Sequence, residues 1–196
     1  MVQAKHGKRL ARLAVGLTAV VAGVIGSAGS SWAASSPIDV PAGNHLVRVV
    51  HAEGQQIYQC TQNATDGSYS WTLARPAAVL LNGYGTVFGY HTYTLYKPSG
   101  QMVPTWAALD GSWVQAVKAS SVASPDGAAN IPWVLLQRVA SGSQHGSTLT
   151  ATTYVQRTNT VGGVAPSTTC DQTNAGTEKG IDYQADYSFY EASAQG

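Results

Sequence analysis

From His45 to Phe189 apolar and polar side chains alternate with a period of two, and turn-forming residues interrupt the alternation at short intervals. No stretch in that span sustains apolar residues at i, i+3, i+4 and i+7, so strands rather than helices are expected. Residues 46–52 and 56–62 are read as two strands joined through Glu53-Gly54, and residues 69–73 as a third after the turn Asp66-Gly67. Residues 86–96 form a long aromatic strand, with Val87, Gly89, His91, Tyr93 and Leu95 on one face. Residues 105–109 and 112–119 flank Asp110-Gly111, and the apolar run opening 133–139 suits a central strand covered on both faces. In 148–158 Thr and Tyr alternate against Leu149, Ala151 and Val155, and Tyr183, Ala185, Tyr187 and Phe189 make an apolar stripe near the end. These are about nine strands without an intervening helix, which predicts an all-β antiparallel sandwich or closed barrel in one domain over 37–196. A short helix over 76–81 fits the preference of proline for a first helical turn.

The first 33 residues follow a different rule. Lys5, Lys8, Arg9 and Arg12 precede an uncharged apolar run over 13–25, and a small, polar stretch then ends in Ser31-Trp32-Ala33. That order predicts an export signal cleaved after Ala33. The run falls short of the roughly 20 residues a spanning helix needs, so no transmembrane anchor is expected after cleavage. The export reading also changes the charge: the formal net +1 of the 196-residue chain becomes −3 once the four leader cations are removed. Nucleic-acid binding needs basic stripes that displace counterions from phosphates, and the remaining chain has none.

Cys60 and Cys170 both lie beyond the leader, and two cysteines in an oxidising compartment most simply form one disulfide. Neither has a second cysteine or histidine at metal-ligand spacing, and His45, His51, His91 and His145 are scattered, so no metal is expected. The chain lacks G-x-S-x-G, H-E-x-x-H, G-x-x-x-x-G-K and a helix-opening G-x-G-x-x-G, which removes the common hydrolase, zinc-protease and nucleotide sites; no cofactor is expected. His91, in the aromatic strand, is the histidine best placed to be a ligand or general base, against a buried hydrogen-bonding role. Asp110 is read first as a turn residue, since Asp-Gly between strands is a strong hairpin signal.

A two-residue turn at Asp110-Gly111 would oppose Ala108 with Trp113 and Trp106 with Gln115. Trp106, Trp113 and Gln115 would then share one face: two indoles and an amide, the makings of an aromatic platform for a carbohydrate. The opposite reading packs both rings.

The ordered strings Gly54-Gln55-Gln56-Ile57-Tyr58-Gln59-Cys60, Pro104-Thr105-Trp106 with Asp110-Gly111-Ser112, and Ile131-Pro132-Trp133-Val134-Leu135-Leu136 carry a family likeness. Gln156-Arg157 with Thr160, Gly162-Gly163 and Pro166, and Tyr183-x-Ala185-x-Tyr187-x-Phe189-Tyr190, complete it. Together they resemble a family of small secreted bacterial and fungal proteins catalogued as a domain of unknown function. The resemblance implies a secreted, mostly β domain with no assigned activity. It departs at residues 92–103, which separate His91 from Pro104-Thr105-Trp106 where family members hold the two closer. Members more often place a polar residue after Asp-Gly-Ser, which implies a solvent-facing position for Trp113. The expectation is a non-catalytic extracellular or cell-envelope binding module, with polysaccharide or cell wall as partner and Trp106, Trp113, Gln115 and His91 as contacts. The alternative is a secreted enzyme acting on extracellular polymers.

Overall fold

The computed structural model describes residues 35–194; the leader, with its cleavage point after Ala33, lies outside the described residues. Eight strands follow in order: β1 (Asn44–Gln62), β2 (Tyr69–Leu81), β3 (Val87–Tyr96), β4 (Gln101–Ala108), β5 (Ser112–Val122), β6 (Trp133–Ser143), β7 (Thr152–Gly162) and β8 (Glu178–Ala192). Each pairs antiparallel with the next, and β8 returns along nearly the whole of β1, closing a barrel. Closure removes the sheet edges that an open sandwich would leave exposed.

Two expected elements are corrected. Residues 46–52 and 56–62 are one continuous strand, because Gly54 does not turn the chain. A Cβ on Gly54 would lie 2.5 Å from the Cα of Ala78 on β2, so glycine here allows two strands to approach closely. Residues 76–81 are strand, not helix: they are the second half of β2. Pro76 lies beside a gap, since β2 pairs with β3 only from Ala78 onward, and such a gap tolerates a residue without an N–H.

The apolar stripes point into the barrel. Val50, Ala52, Leu80, Val114, Val155, Ala185 and Phe189 form part of the core and are all essentially inaccessible. Phe88 and Phe189 meet at 6.4 Å between ring centroids, towards the end of the barrel where the 82–86, 109–111 and 144–151 loops lie. β6 is covered on both faces at its centre, as its sequence predicts. Leu135 is buried although its neighbours Val134 and Leu136 belong to the inner cluster. Its sheet partners Ser120 and Gln156 hydrogen-bond the carbonyls of Pro37 and Ile38, so the segment ahead of β1 straps across β5–β7, burying Ile38 as well.

Cys60 and Cys170 are bonded, with Cα atoms 5.5 Å apart and 110 positions between them. The bridge ties the end of β1 to the long loop before β8, and such cross-links are the mark of an oxidising compartment. Replacing both cysteines by serine is expected to lower stability by about 2 to 4 kcal/mol, chiefly by freeing the unfolded chain. Thermal unfolding of the variant beside the oxidised parent, with and without reductant, measures this; equal melting temperatures would contradict it.

The hairpin at Asp110 differs by one residue from its expected register. The loop is three residues, Leu109-Asp110-Gly111, closed by a hydrogen bond from the Gly111 N–H to the Ala108 carbonyl (3.0 Å), with Gly111 at φ 82°. This is a turn followed by a left-handed glycine, the other common hairpin closure. The pairs are therefore Ala107 with Trp113, Trp106 with Val114 and Thr105 with Gln115. Because side chains alternate, a shift of one residue reverses every facing relation. Trp106 turns into the barrel and Trp113 out of it, so the platform of two indoles does not form. Asp110 is the anchor of this end. One carboxylate oxygen accepts from the backbone and hydroxyl of Ser112, the other from those of Thr148. The hydroxyls of Ser112 and Thr148 foremost hold its carboxyl well below the usual range, so it remains an acceptor and not an acid.

Candidate functional site

At the opposite end of the barrel, the same parity that fills the core with aliphatic side chains delivers aromatic and polar ones. Along β1 the inward series Val50, Ala52, Gly54 leads to Gln56 and Tyr58; along β8, Phe189 gives way to Tyr187 and Tyr183; along β7, Val155 gives way to Arg157. Of these, Gln56, Tyr187 and Arg157 line a cavity of about 480 Å³ that opens to solvent, within the range of small-molecule pockets.

Its floor is an aromatic cluster. His91 and Trp106 face each other across the β3–β4 ladder, and their rings stack at 4.4 Å with 9° between planes. Tyr187 stands edge-on to both, at 5.0 Å from His91 and 5.3 Å from Trp106, and Phe189 supports Trp106 at 6.2 Å. Residues 92–103, which separate His91 from Trp106 in the sequence, are the outer arms of the β3–β4 hairpin, and an antiparallel insertion returns its two ends to one another. Beyond Thr92 and Thr105 this hairpin keeps its own ladder but leaves those of β2 and β5. The splay opens the mouth beside Tyr93 and Met102, which line it.

His91 is fully buried, and its Nδ1 lies 2.9 Å from the Thr105 carbonyl. A carbonyl only accepts, so Nδ1 carries the hydrogen and Nε2 keeps a lone pair. Burial, with Arg157 adding to it, depresses the imidazole pKa to about 3 against the pull of the Thr105 bond. At neutral pH the ring is uncharged, able to accept from a ligand but with a conjugate acid too strong for a base to exploit near pH 7.

Three buried groups on the cavity wall have no hydrogen-bond partner in the protein: Nε2 of Gln56, Nε1 of Trp106 and the hydroxyl of Tyr187. The Tyr183 hydroxyl, close against that of Tyr187, has no other partner, and Trp133 Nε1 and Thr152 Oγ1, away from the cavity, are also unpartnered. Native interiors satisfy nearly all such groups, because each one left alone costs about 1 to 3 kcal/mol. By contrast Tyr58, two residues beyond Gln56 on β1, donates to the Gly163 carbonyl at 2.7 Å.

Two cations complete the wall. Arg157 points inward between Val134 and Tyr187, its Nε and Nη2 donating to the Pro132 carbonyl at 3.3 and 2.8 Å. Lys118 lies at the rim, and no Asp or Glu lines the cavity. Among the described residues no carboxylate pairs with Arg157; the ion pairs lie elsewhere, at His51 with Asp186 and Glu53 and at Arg75 with Glu178.

Of the four contacts expected from the sequence, His91 and Trp106 come together at this site. Trp113 and Gln115 lie outside the barrel. The Trp113 ring covers Gly142, where a Cβ would meet Cζ2 at 2.8 Å, and Gln115 is buried, its amide donating to Thr94 Oγ1 and the Leu95 carbonyl. Gln115 therefore braces the splayed hairpin, and both residues line a separate cavity outside the barrel. Gln56, Arg157 and Tyr187 escaped the sequence reading as site residues. The available signal was parity: each falls in phase with an apolar stripe, and an inward-phased Arg or Gln in a small barrel has to face a cavity or a partner.

Among the described residues no cluster of three or more His, Cys, Asp or Glu side chains is arranged for a metal. Comparisons with curated proteins and with solved structures return no match. A family model matches residues 41–191, all eight strands but for the last residue of β8, and on that match the chain belongs to the family described as Protein of unknown function (DUF3455).

Proposed function

We propose that the protein is an exported, non-catalytic binding module that takes one small molecule into the open mouth of its barrel. Eight-stranded barrels either fill their interior with side chains or hold a single small ligand, and this one does the first at one end and has room for the second at the other. The observation that carries the reading is the set of unpartnered buried donors, Gln56, Trp106 and Tyr187, on one cavity wall above a stacked aromatic floor. These donors lie just beneath the cavity surface, so a ligand with acceptors would bond them once side-chain shifts bring them out, and its flat apolar part would cover the rings. Export is supported by the three-zone leader and by the disulfide, which belongs to an oxidising compartment. A polymer-cleaving enzyme is the weaker reading. Glycoside hydrolysis commonly employs two carboxylates about 5 to 10 Å apart, and this cavity wall has none. A long polysaccharide is likewise a poorer occupant than a small molecule, because the indoles face opposite sides of the sheet.

Two naphthalene dyes test this: 8-anilinonaphthalene-1-sulfonate and its uncharged counterpart N-phenyl-1-naphthylamine. At least one is expected to bind the folded chain saturably at one per molecule, quench indole fluorescence and raise the melting temperature. Val117→Trp or Met102→Trp, each at the mouth, should weaken that binding. Absence of saturable binding by both dyes, or binding unchanged in both variants, overturns the proposal.

A further inference from the structure

We propose that the natural ligand is a planar organic anion, its flat body against the His91–Trp106 floor and its acid group between Arg157 and Lys118. The inference rests on the binding role proposed above and concerns what that cavity selects.

Beyond the leader the chain holds seven basic and ten acidic residues, so a cavity wall drawn at random would tend to carry acids. This one carries two cations and no carboxylate. Arg157 is the more telling of the two, because an inward guanidinium at a partly desolvated site ordinarily finds an acidic partner. Its partner here is one backbone carbonyl, which leaves Nη1 and the net charge uncompensated by protein. A carboxylate, sulfonate or phosphate would supply what is missing, and the forked guanidinium suits the paired oxygens of such a group.

The unpartnered groups also have a direction. The Gln56 amide nitrogen and the Trp106 indole nitrogen can only donate, and the Tyr187 hydroxyl can do so. Three donors beside the single acceptor His91 Nε2 match a ligand richer in acceptors than in donors. A sugar presents as many donors as acceptors and is commonly held through side-chain carboxylates and amide oxygens, while an organic cation would face Arg157 and Lys118 directly. An organic acid satisfies both the donors and the charge. The stacked pair of His91 and Trp106, uncharged and nearly parallel, favours a flat body over a flexible chain.

The same two dyes separate this inference from the one on which it rests, since they share the aromatic body and differ by the sulfonate. The sulfonate dye is expected to bind at least about tenfold more tightly, and raising salt should weaken it while leaving the neutral dye little changed. In Arg157→Gln and in Lys118→Gln the ratio of the two affinities should fall towards one, most in the former. Lys118 is exposed and makes no side-chain hydrogen bond, so its replacement is expected to leave folding intact and the test stands even if Arg157→Gln proves unstable. Equal affinities in the parent protein, or a ratio unchanged by both substitutions, overturn the anion proposal and leave the binding role standing. Failure of both dyes removes the binding role itself.

Discussion

Trp106→Ala is expected to lower the unfolding free energy by about 3 to 5 kcal/mol, the usual cost of emptying a core position of its largest side chain. The indole is 1% exposed and lies where the aliphatic end of the barrel meets the cavity. It stacks on His91, receives the edge of Tyr187 and rests on Phe189, so its removal withdraws contacts from three rings at once. Collapse cannot refill the space, because closed strands cannot move inward independently. Denaturant unfolding followed by far-ultraviolet circular dichroism measures the loss; a change below about 1 kcal/mol would show that the ring carries little of the core. Trp113→Ala is the internal comparison. Outside the barrel the same indole is partly exposed against Gly142, so its truncation should cost markedly less.

Acid is expected to destabilise the fold well above the range in which carboxylates titrate, and His91 is the reason. Its folded pKa, about 3, lies below the value of about 6.5 for an unfolded histidine. The unfolded chain therefore takes up the proton first. The stability contributed by the neutral ring is complete above pH 6.5 and is lost as pH falls towards 3, at about 1.4 kcal/mol per pH unit. Between pH 6.5 and 4.5 this amounts to about 2 kcal/mol. The denaturant midpoint should fall accordingly, and His91→Gln should flatten the slope while lowering stability at pH 7. Asp110 acts in a separate window: its depressed pKa contributes stability above about pH 4 that is lost only on further acidification. A midpoint unchanged between pH 6.5 and 4.5 would mean that His91 ionises in the folded barrel.

The two residues illustrate what local pattern can and cannot convey. His91 stood out in the sequence because it interrupts an aromatic strand, yet its neutral state follows from burial and from the Thr105 carbonyl, both supplied by the partner strand. Trp106 stood out through the hairpin register expected at Asp110-Gly111, and that register is one residue off. Asp-Gly serves a two-residue turn and a three-residue loop with left-handed glycine equally well, and only the packing of the barrel selects between them. Gly54 reads as a turn by the same local logic. What requires glycine there is the approach of Ala78, 24 positions further along the chain.

By itself the sequence determined that the chain is built of antiparallel strands, which side chains share a face along most of each strand, and which two cysteines were there to be joined. All of these depend on neighbours within a few positions, or on there being only one pair to choose. Tertiary structure decided that β8 closes on β1, that the strands around residues 53 and 76 run unbroken, and that Trp106 faces inward. It also decided that Gln56, Arg157 and Tyr187, spread over 131 positions of chain, share one cavity wall. The physical reason is that a strand states its own alternation but not its partner's register, and a site inside a barrel exists only once every register has been set.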